Sequence, residues 1–406
     1  MKPRPGADWA FEIGPIRPPS EGRDQSLLVR ATRNCPWNRC AFCRTYRGKR
    51  FEYRNVAEIK RDIDEAKAIA DELKAASWRL GQGGEITGEL VSSFVRGNPE
   101  IYGHGNAPPE VIEARLHSLV NVANWLASGA RTVFLQDANT LVMRTPELVE
   151  VLRYVKTTSP TVERITSYAR SHTAARKSVS ELRELHQAGL ARLHIGLESG
   201  CDEVLTYIQK GVTAADHIAG GRKIVESGIS LSEYVIPGLG GRKWTEKHAL
   251  DTARVLNEIG PDFIRLRSLV VREGTDLDGK LKSGDFEPLT EDDTVAELRL
   301  FIEHLQCRAH LVSDHMANLL WEIEGQLPEA KGNLLKLIDD YIARPLPERL
   351  TMQLKRRLQS HLSVFGGIDG SLKRQVECAF ESIRTGSPRM ETDVHAALMA
   401  LKQGAM

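Results

Sequence analysis

The 406-residue chain has little of several features that mark specialised proteins. Its net charge is only +1, so no strong field would attract nucleic acid or an anionic membrane. No apolar run approaches the roughly 18 residues of a membrane-spanning helix, and residues 1–14 contain no apolar core of a signal peptide. With 41% hydrophobic and 27% charged residues, the composition is that of an ordinary globular protein. The length predicts a full α/β barrel with an additional helical segment.

Cysteine is also scarce, with six residues in the whole chain. Cys201, Cys307 and Cys378 are scattered and form no second C-x2-C pair. We predict that these three are small buried hydrophobic residues; the alternative is an additional ligand or a resolving thiol. A disulfide framework is not expected in a chain of this size and composition. A reducing cytoplasm is the compartment that we predict.

The other three cysteines, Cys35, Cys40 and Cys43, stand in a C-x4-C-x2-C spacing directly after the mostly apolar run 26–31. Such a run is typical of a buried strand, so the cysteines would follow the carboxyl end of a strand, where parallel α/β folds bind ligands. Three thiolates can hold an iron–sulfur cluster with one iron open, whereas a structural zinc site uses four ligands. The alternatives are three ligands of a zinc site, or surface cysteines.

This motif resembles that of the radical S-adenosylmethionine (radical SAM) enzymes, which hold a 4Fe–4S cluster on three cysteines after the first barrel strand. An aromatic residue usually precedes the third cysteine, as Phe42 does here. The first gap is one residue longer than in the commonest spacing, C-x3-C-x2-C. The resemblance covers roughly residues 20–280 and is closest to the branch of coproporphyrinogen dehydrogenase and the methylthiotransferases.

The resemblance implies two cofactors, a 4Fe–4S cluster on Cys35, Cys40 and Cys43 and S-adenosylmethionine bound to its open iron, with Phe42 beside them. It also implies that one electron from a flavodoxin- or ferredoxin-type donor cleaves S-adenosylmethionine to methionine and a 5′-deoxyadenosyl radical. That radical would abstract a hydrogen atom from the substrate.

Short apolar segments alternate with helix-like segments up to about residue 280. They predict six strands, each followed by a helix, and therefore a parallel sheet with right-handed crossovers. Asn55 is predicted to cap the first of these helices. Six β/α units match the partial (β/α)6 TIM-like barrel of the radical SAM enzymes.

We predict three parts of the chain. Residues 1–24 form a proline-rich N-terminal arm, and residues 25–284 form the barrel with an inserted loop at about 81–108. Residues 285–406 form a helical extension without strands, which begins with a long or broken helix over 291–324 and continues with four shorter helices.

Catalytic residues of parallel barrels gather at the carboxyl ends of the strands, and the resemblance implies that cofactor contacts lie there too. The turn after strand two binds the amino group of S-adenosylmethionine in the family, a role that Asp137, next to Asn139, could fill. The other predicted cofactor-binding residues follow strands three to five: Tyr168, Arg170, Glu198, Ser199, Gly238 and Gly240.

Several of these residues also have structural interpretations that the sequence leaves open. Arg170 could be a surface arginine, and Ser199 could cap a helix while Glu198 is solvated. Gly238 and Gly240 could form a tight turn instead of approaching the adenosine. No catalytic residue is assigned.

Overall, the sequence predicts a radical SAM enzyme with a small-molecule substrate. Nucleic acid is not expected as a partner, because the net charge is nearly zero and no separate RNA-binding domain is visible. Two alternatives stay open. One is an RNA- or peptide-modifying radical SAM enzyme that uses the basic segment 44–50, and the other is a zinc-stabilised binding protein without catalytic activity.

Overall fold

The structure is a computed structural model that describes residues 8–19, 25–103 and 107–404. Its strands are β1 Leu27–Arg30, β2 Thr32–Arg33, β3 Glu52–Tyr53, β4 Thr132–Gln136, β5 Arg164–Ala169, β6 Leu190–Glu198, β7 Ser230–Val235, β8 Phe263–Leu266, β9 His310–Val312 and β10 Glu324–Gln326. Its helices are α1 Val56–Arg79, α2 Gly88–Gly97, α3 Pro99–Tyr102, α4 Pro109–Ala127, α5 Thr145–Thr158, α6 Ser171–Arg176, α7 Val179–Gln187, α8 Asp202–Tyr207, α9 Ala214–Ser227, α10 Gly241–Ile259, α11 Asp276–Ser283, α12 Glu291–His304, α13 Lys331–Ile342, α14 Leu346–Phe365, α15 Gly370–Thr385 and α16 Met390–Gly404. None of these described helices is long and apolar enough to cross a membrane.

Eight strands follow one another along the main sheet in the order β1-β4-β5-β6-β7-β8-β9-β10. The pairs β1–β4, β4–β5, β5–β6, β7–β8 and β8–β9 are parallel, whereas β9–β10 is antiparallel. At least one helix lies between each parallel strand and the next, as crossover connections require. The predicted α/β class, with a mostly parallel sheet whose strands alternate with helices and a helical C-terminal extension, is confirmed.

The chain divides into two compact units. The first consists of Met1–Asn38, Gly48–Ile195 and Lys223–Leu231. At its centre is β4, in which Val133, Phe134 and Leu135 are all completely buried. A continuous apolar run of this kind is typical of a parallel strand that is covered on both faces.

The local sequence explains why α1 begins at residue 56. The side chain of Asn55 accepts a hydrogen bond from the backbone of Glu58, whose side chain accepts one from the backbone of Asn55. This capping box satisfies two backbone donors that the first turn would otherwise leave open. The predicted cap is confirmed.

The second unit consists of Arg39–Arg47, Gly196–Arg222 and Ser232–Met406. Two apolar clusters are described within it. One surrounds Ala41 of the cysteine motif and includes Cys201 and Phe286. The other lies within the C-terminal helices, and its buried members are Leu350, Leu354, Leu372, Val376, Ala379, Val394, Ala397, Leu398 and Leu401. The four shorter helices predicted for the extension are confirmed as α13 to α16.

Two predictions about the path of the chain are wrong. The inserted loop at 81–108 contains α2 and α3; Thr87 caps α2, and Leu90 and Phe94, one turn apart, are buried. Gly88, Gly97, Pro99 and Gly103, which suggested a loop, lie at the ends of these two helices, where glycine and proline are common. Residues 104–106 lie outside the described part of the chain.

The second wrong prediction concerns 291–324, where α12 ends at His304 and β9 and β10 follow. The extension therefore contains strands, and β9 continues the parallel sheet beside β8. Strands of three residues are too short to show the period-two alternation by which a strand is recognised.

Within the predicted arm, residues 8–19 are described, and they pack on the first unit. The backbone of Trp9 donates to Glu65 of α1 (2.8 Å) and that of Phe11 to Ser118 of α4 (3.0 Å). Both aromatic side chains are buried. Pro3 and Pro5 of the arm lie outside the described residues.

The apolar cluster of the C-terminal helices generates a first prediction. Leu354 is completely buried there, whereas Leu362 on the same helix is 40% exposed. We expect Leu354→Ala to lower the free energy of unfolding by about 2–5 kcal/mol, and Leu362→Ala to change it by less than about 0.5 kcal/mol. Urea unfolding followed by circular dichroism measures both. Equal effects of the two substitutions would mean that the cluster is not a packed core.

Candidate functional site

The cysteine motif begins directly after the short strand β2, and its first part belongs to the first unit. Asn34 and Asn38 both have left-handed backbones, with φ of 68° and 50°, a conformation that asparagine adopts more readily than most residues. Their side chains donate to the carbonyls of Arg50 (2.6 Å) and Lys49 (3.2 Å). The backbone of Asn38 also donates to Cys35 Sγ (3.4 Å). These contacts fix the backbone on both sides of Cys35.

Asp137, predicted to bind an ammonium group, is completely buried and anchors the same loop. Its Oδ2 accepts hydrogen bonds from Arg30 Nε (2.7 Å) and from the backbone of Asn34 (3.1 Å). A Cβ placed on Gly14 would lie 2.5 Å from Asp137 Oδ1, so only glycine fits against this carboxylate without displacement. The sequence did not reveal this structural role.

The predicted residues near the end of β5 lie beside the cysteine motif. The guanidinium of Arg170 lies over the ring of Trp37, 5.0 Å from its centroid. The backbone of Arg170 donates to Asn139 Oδ1 (3.2 Å), and Asn139 Nδ2 donates to Thr173 (2.8 Å). The structure thus brings Arg170, Asn139 and Trp37 together within the first unit. The Arg170 side chain is half-buried.

Tyr168 lies on β5, and both its ring and its hydroxyl contact other residues of the first unit. The ring packs edge-on against Phe134, with 5.3 Å between centroids, and lies 5.6 Å from the ring of His194. Its hydroxyl donates to the carbonyl of Arg17 (3.3 Å).

The second part of the cysteine motif belongs to the second unit. The backbone of Ala41 donates to the carbonyl of Ile208 (2.8 Å) and accepts from Leu277 (2.9 Å). Ala41 is completely buried, and Phe42 packs against the same apolar cluster. Cys43 follows a turn in which its backbone donates to the carbonyl of Cys40 (3.1 Å).

Glu198 is the last residue of β6 and Ser199 follows it, and the two side chains differ in whether they could contact a ligand. Glu198 has a left-handed backbone, with φ of 63°, and its Oε1 accepts from Lys210 Nζ at 2.9 Å. The hydroxyl of Ser199, in contrast, is completely buried: it lies 2.8 Å from His248 Nδ1 and accepts from the backbone of Cys201 (3.0 Å). Ser199 does not cap the following helix, because the N-cap residue of α8 is Cys201 and, among the described residues, no side chain caps this helix.

The turn after β7 is held by a buried residue that the sequence did not single out. Glu297 accepts from the backbone of Gly238 (2.6 Å) and from the hydroxyl of Thr245 (2.8 Å). Gly238 has φ of 85°, which favours glycine. A Cβ on Gly240 would lie 3.1 Å from both His248 and Trp244. The groups that approach Gly240 closely are therefore neighbouring residues of the protein itself.

A group of cations lies around Cys43 in the second unit. Burial lowers the pKa of Arg272, and the charges of Arg267 and Arg44 lower it further, while Cys43 opposes them. Burial, followed by the charges of Arg267 and Arg272, lowers the pKa of His315 to about 3. Such a field favours an anion at this position.

The described residues contain one compact group of possible metal ligands, formed by Cys201, Glu203 and Asp251. Burial raises the pKa of the Cys201 thiol to about 11, so the thiolate that a metal needs is disfavoured. Glu203 is paired with Lys247. This group therefore does not resemble a metal site.

Comparisons with known proteins give partial similarities. No protein-family model matches the chain. A tRNA uridine(34) acetyltransferase of Methanocaldococcus infernus is 25% identical over 119 residues, which are 29% of this chain and 22% of the relative. The chain thus spans about a fifth of the length of the curated relatives with that description.

Two solved structures share a broader part of the chain. Methanocaldococcus infernus Elp3 with an N-terminal deletion is 15% identical, with a TM-score of 0.40 over 61% of this chain and 60% of its own. Coproporphyrinogen III oxidase (HemN) of Escherichia coli, described as a radical SAM enzyme, is 14% identical, with a TM-score of 0.40 over 70% of this chain and 52% of its own. Both similarities concern the fold alone.

One buried acid in the second unit has no counterpart among the sequence predictions. Glu233 on β7 is completely buried, and its carboxyl oxygens have no hydrogen-bond partner among the described residues. Burial, reinforced by the charge of Glu198 and opposed by Lys210, raises its pKa well above the ordinary value. The available signal was a charged residue within a predicted strand.

Glu233 generates a prediction with a defined sign. Because its pKa is raised in the folded state, the native protein keeps a proton that the unfolded chain loses, so stability falls as the pH rises above the ordinary carboxyl pKa near 4.3. Glu233→Gln removes this loss. We expect the variant to gain stability over the wild type as the pH rises from 5 to 8, by up to about 1.4 kcal/mol per pH unit.

Urea unfolding at several pH values measures the gain, and the exposed Glu246→Gln is the matched control. A constant difference between Glu233→Gln and wild type across this range would contradict the assignment of a protonated, buried carboxyl.

Proposed function

We propose that the chain is a radical SAM enzyme that holds a 4Fe–4S cluster on Cys35, Cys40 and Cys43 and acts on a small molecule. The observation that carries the proposal is the C-x4-C-x2-C motif in a short loop, stabilised by dedicated contacts, after the first strand of a parallel sheet. The carboxyl ends of such strands are where this class of fold binds ligands.

The donor set fits such a cluster. Cys35, Cys40 and Cys43 are not joined in disulfides and are each partly exposed, so their thiols are accessible to a metal cluster. Three thiolates suit an iron–sulfur cluster with one iron left for a cofactor. The cations around Cys43 would offset the negative charge of the thiolates and of the cofactor's carboxylate.

The residues of this chain would bind and orient the cofactor. When bound, a cluster of this kind supplies the electron, received from a flavodoxin- or ferredoxin-type donor, that converts S-adenosylmethionine to methionine and the radical that abstracts hydrogen from the substrate. Of the predicted cofactor residues, we propose direct contacts for those with half-buried side chains, namely Phe42, Tyr168, Arg170 and Glu198.

The remaining predicted residues would act through others. Asp137, Asn139 and Ser199 already bond to neighbouring protein groups, so we propose that they position the loop and the strand ends. Gly238 would allow the backbone to approach the adenosine, and Gly240 would keep the turn closed. Sequestering the reaction from water would be the further contribution of the protein.

The proposal is tested by anaerobic reconstitution with iron and sulfide, metal analysis, and chromatography for 5′-deoxyadenosine after dithionite and S-adenosylmethionine are added. We expect about four irons per chain and 5′-deoxyadenosine from the wild type. Each of Cys35→Ala, Cys40→Ala and Cys43→Ala should lose the cluster absorbance and lower 5′-deoxyadenosine formation at least 100-fold.

Cys378→Ala, which removes an exposed cysteine of the same chain, is the matched control and should retain both properties. Binding of zinc without iron would instead support the alternative of a zinc-stabilised binding protein.

A second candidate function is RNA modification by the same chemistry. It is favoured by the curated relatives described as tRNA uridine(34) acetyltransferases. Within the basic segment 44–50, Arg44, Lys49 and Arg50 are exposed. We infer that a tRNA ligand, if this is the substrate, would place phosphates on these three side chains.

Binding of a tRNA at several salt concentrations tests this second function. Each phosphate contact contributes about 0.7–0.9 to the slope of log K against log salt. We expect the combined change Arg44→Gln, Lys49→Gln and Arg50→Gln to reduce the slope by about 2–3. Lys336→Gln, Lys355→Gln and Lys373→Gln, all in the helical extension, form the control. Absence of salt-dependent binding in the wild type would contradict this function.

A further inference from the structure

A cavity of about 150 Å³ lies within the second unit. The backbone after β7, at Pro237 and Gly238, and the segment 268–271 after β8 form one side of it. Helices α12, α14 and α16 form the other side, with Leu350 and Leu398 among the apolar lining residues. A cavity of this volume holds about one benzene-sized molecule.

A charged group of three residues also lines this cavity or its edge. Glu291 Oε1 accepts from Lys402 Nζ (2.7 Å) and Arg357 Nε (2.8 Å), and Oε2 accepts from Arg357 Nη2 (2.7 Å). The side chains of Glu291 and Arg357 are only 4% and 3% exposed, and that of Lys402 is 21% exposed. Most of this charge is therefore removed from water.

The donors of the two cations are used to different extents. Arg357 is bidentate on Glu291, and its Nη1 donates to the carbonyl of Ala317 (2.7 Å). The ammonium group of Lys402 has three N–H donors, and Glu291 is its one acceptor among the described residues. Lys402 can therefore bind a further acceptor without breaking a bond.

The group carries one positive charge in excess, since two cations share one carboxylate. Two other acids line the cavity. Asp292 is already paired with Arg349 (3.0 Å). Glu391 is exposed and precedes Lys402 by eleven positions on α16, which is about 16 Å along the helix. Among the described residues, neither acid pairs with Lys402 or Arg357. Burial, followed by Arg357, lowers the pKa of Lys402, against the effect of Glu291.

An uncompensated charge in a largely dry environment is costly, and an anion beside it removes that cost. We propose that the cavity binds a small monocarboxylic acid, whose carboxylate accepts hydrogen bonds from Lys402 and whose apolar body fills the space between Leu350 and Leu398. One carboxylate matches the single excess charge, and the volume limits the body to about the size of a benzene ring.

The position of the cavity also indicates what the acid is for. Gly238, which we propose lies near the adenosine, is part of the lining. An acid in this cavity would therefore be next to the cofactor and would be the substrate or its acidic part. This assignment as substrate rests on the proposed function, whereas binding of the acid does not.

Isothermal titration calorimetry of the full chain, without added iron or S-adenosylmethionine, tests whether the acid binds. The probes are benzoate, hexanoate and inorganic phosphate, with benzamide as the neutral analogue of benzoate. We expect benzoate or hexanoate to bind to the wild type. We expect benzamide to bind at least tenfold more weakly than benzoate.

Variants assign the site. Lys402→Met should weaken binding of the acid at least tenfold and should not lower the melting temperature, because the Glu291–Arg357 pair remains intact. Lys402→Arg should retain most of the affinity. Lys355→Met, at an exposed lysine of α14, is the matched control and should bind like the wild type.

Three results would overturn the proposal: no binding of either acid, equal binding of benzoate and benzamide, or unchanged affinity in Lys402→Met. Tighter binding of phosphate than of both acids would contradict a carboxylate. The failure of 5′-deoxyadenosine formation would not change these binding results, so the two proposals fail separately.

Discussion

The buried carboxylate of Asp137 connects segments of the first unit that are far apart in the chain. It receives hydrogen bonds from Arg30 at the end of β1 and from the backbone of Asn34, and it packs against the backbone of Gly14. Removing one partner of such a buried pair costs about 3–5 kcal/mol. Because Asn34 directly precedes Cys35, the course of the cysteine motif depends on an acid that lies a hundred residues away.

The second unit uses buried charge in another way. Glu198 has Lys210 as its partner. Burial raises the pKa of the Glu291 carboxyl, but the charges of Arg357 and Lys402 outweigh burial and lower this pKa to about 2, so Glu291 remains ionised. Glu233 has no hydrogen-bonding partner among the described residues and keeps its proton instead. Charge that the protein does not balance internally is a common property of ligand sites. This unit therefore contains several groups that a ligand could stabilise.

The sequence predicted those features that depend on local pattern. The strands β4 to β8 and the cap at Asn55 follow from apolar runs and capping residues that are close together in the chain. The short strands β9 and β10 were missed because three residues show no periodicity. Helix α2 was missed because glycine and proline at its ends were interpreted as a loop.

The candidate site likewise has residues that the sequence predicted and contacts that it did not predict. The cysteine motif and the strand ends could be found from spacing and order alone. The partners of Asp137, the role of Glu297 and the charge excess at Lys402 depend on contacts between distant segments, which no local pattern contains. Ser199 and Gly240 were singled out by residue type as cofactor-binding residues, but the structure shows that both contact His248 of the protein itself.

The glycine at position 14 has a consequence for genetic variation in this protein. A side chain there would meet the Asp137 carboxylate at 2.5 Å, a distance that real contacts do not show, so the carboxylate would have to move. Its displacement would release Arg30 and the backbone before Cys35. A missense change at Gly14 would then be scored in a screen as a defect in binding the proposed cluster, although Gly14 itself is not among the proposed ligands.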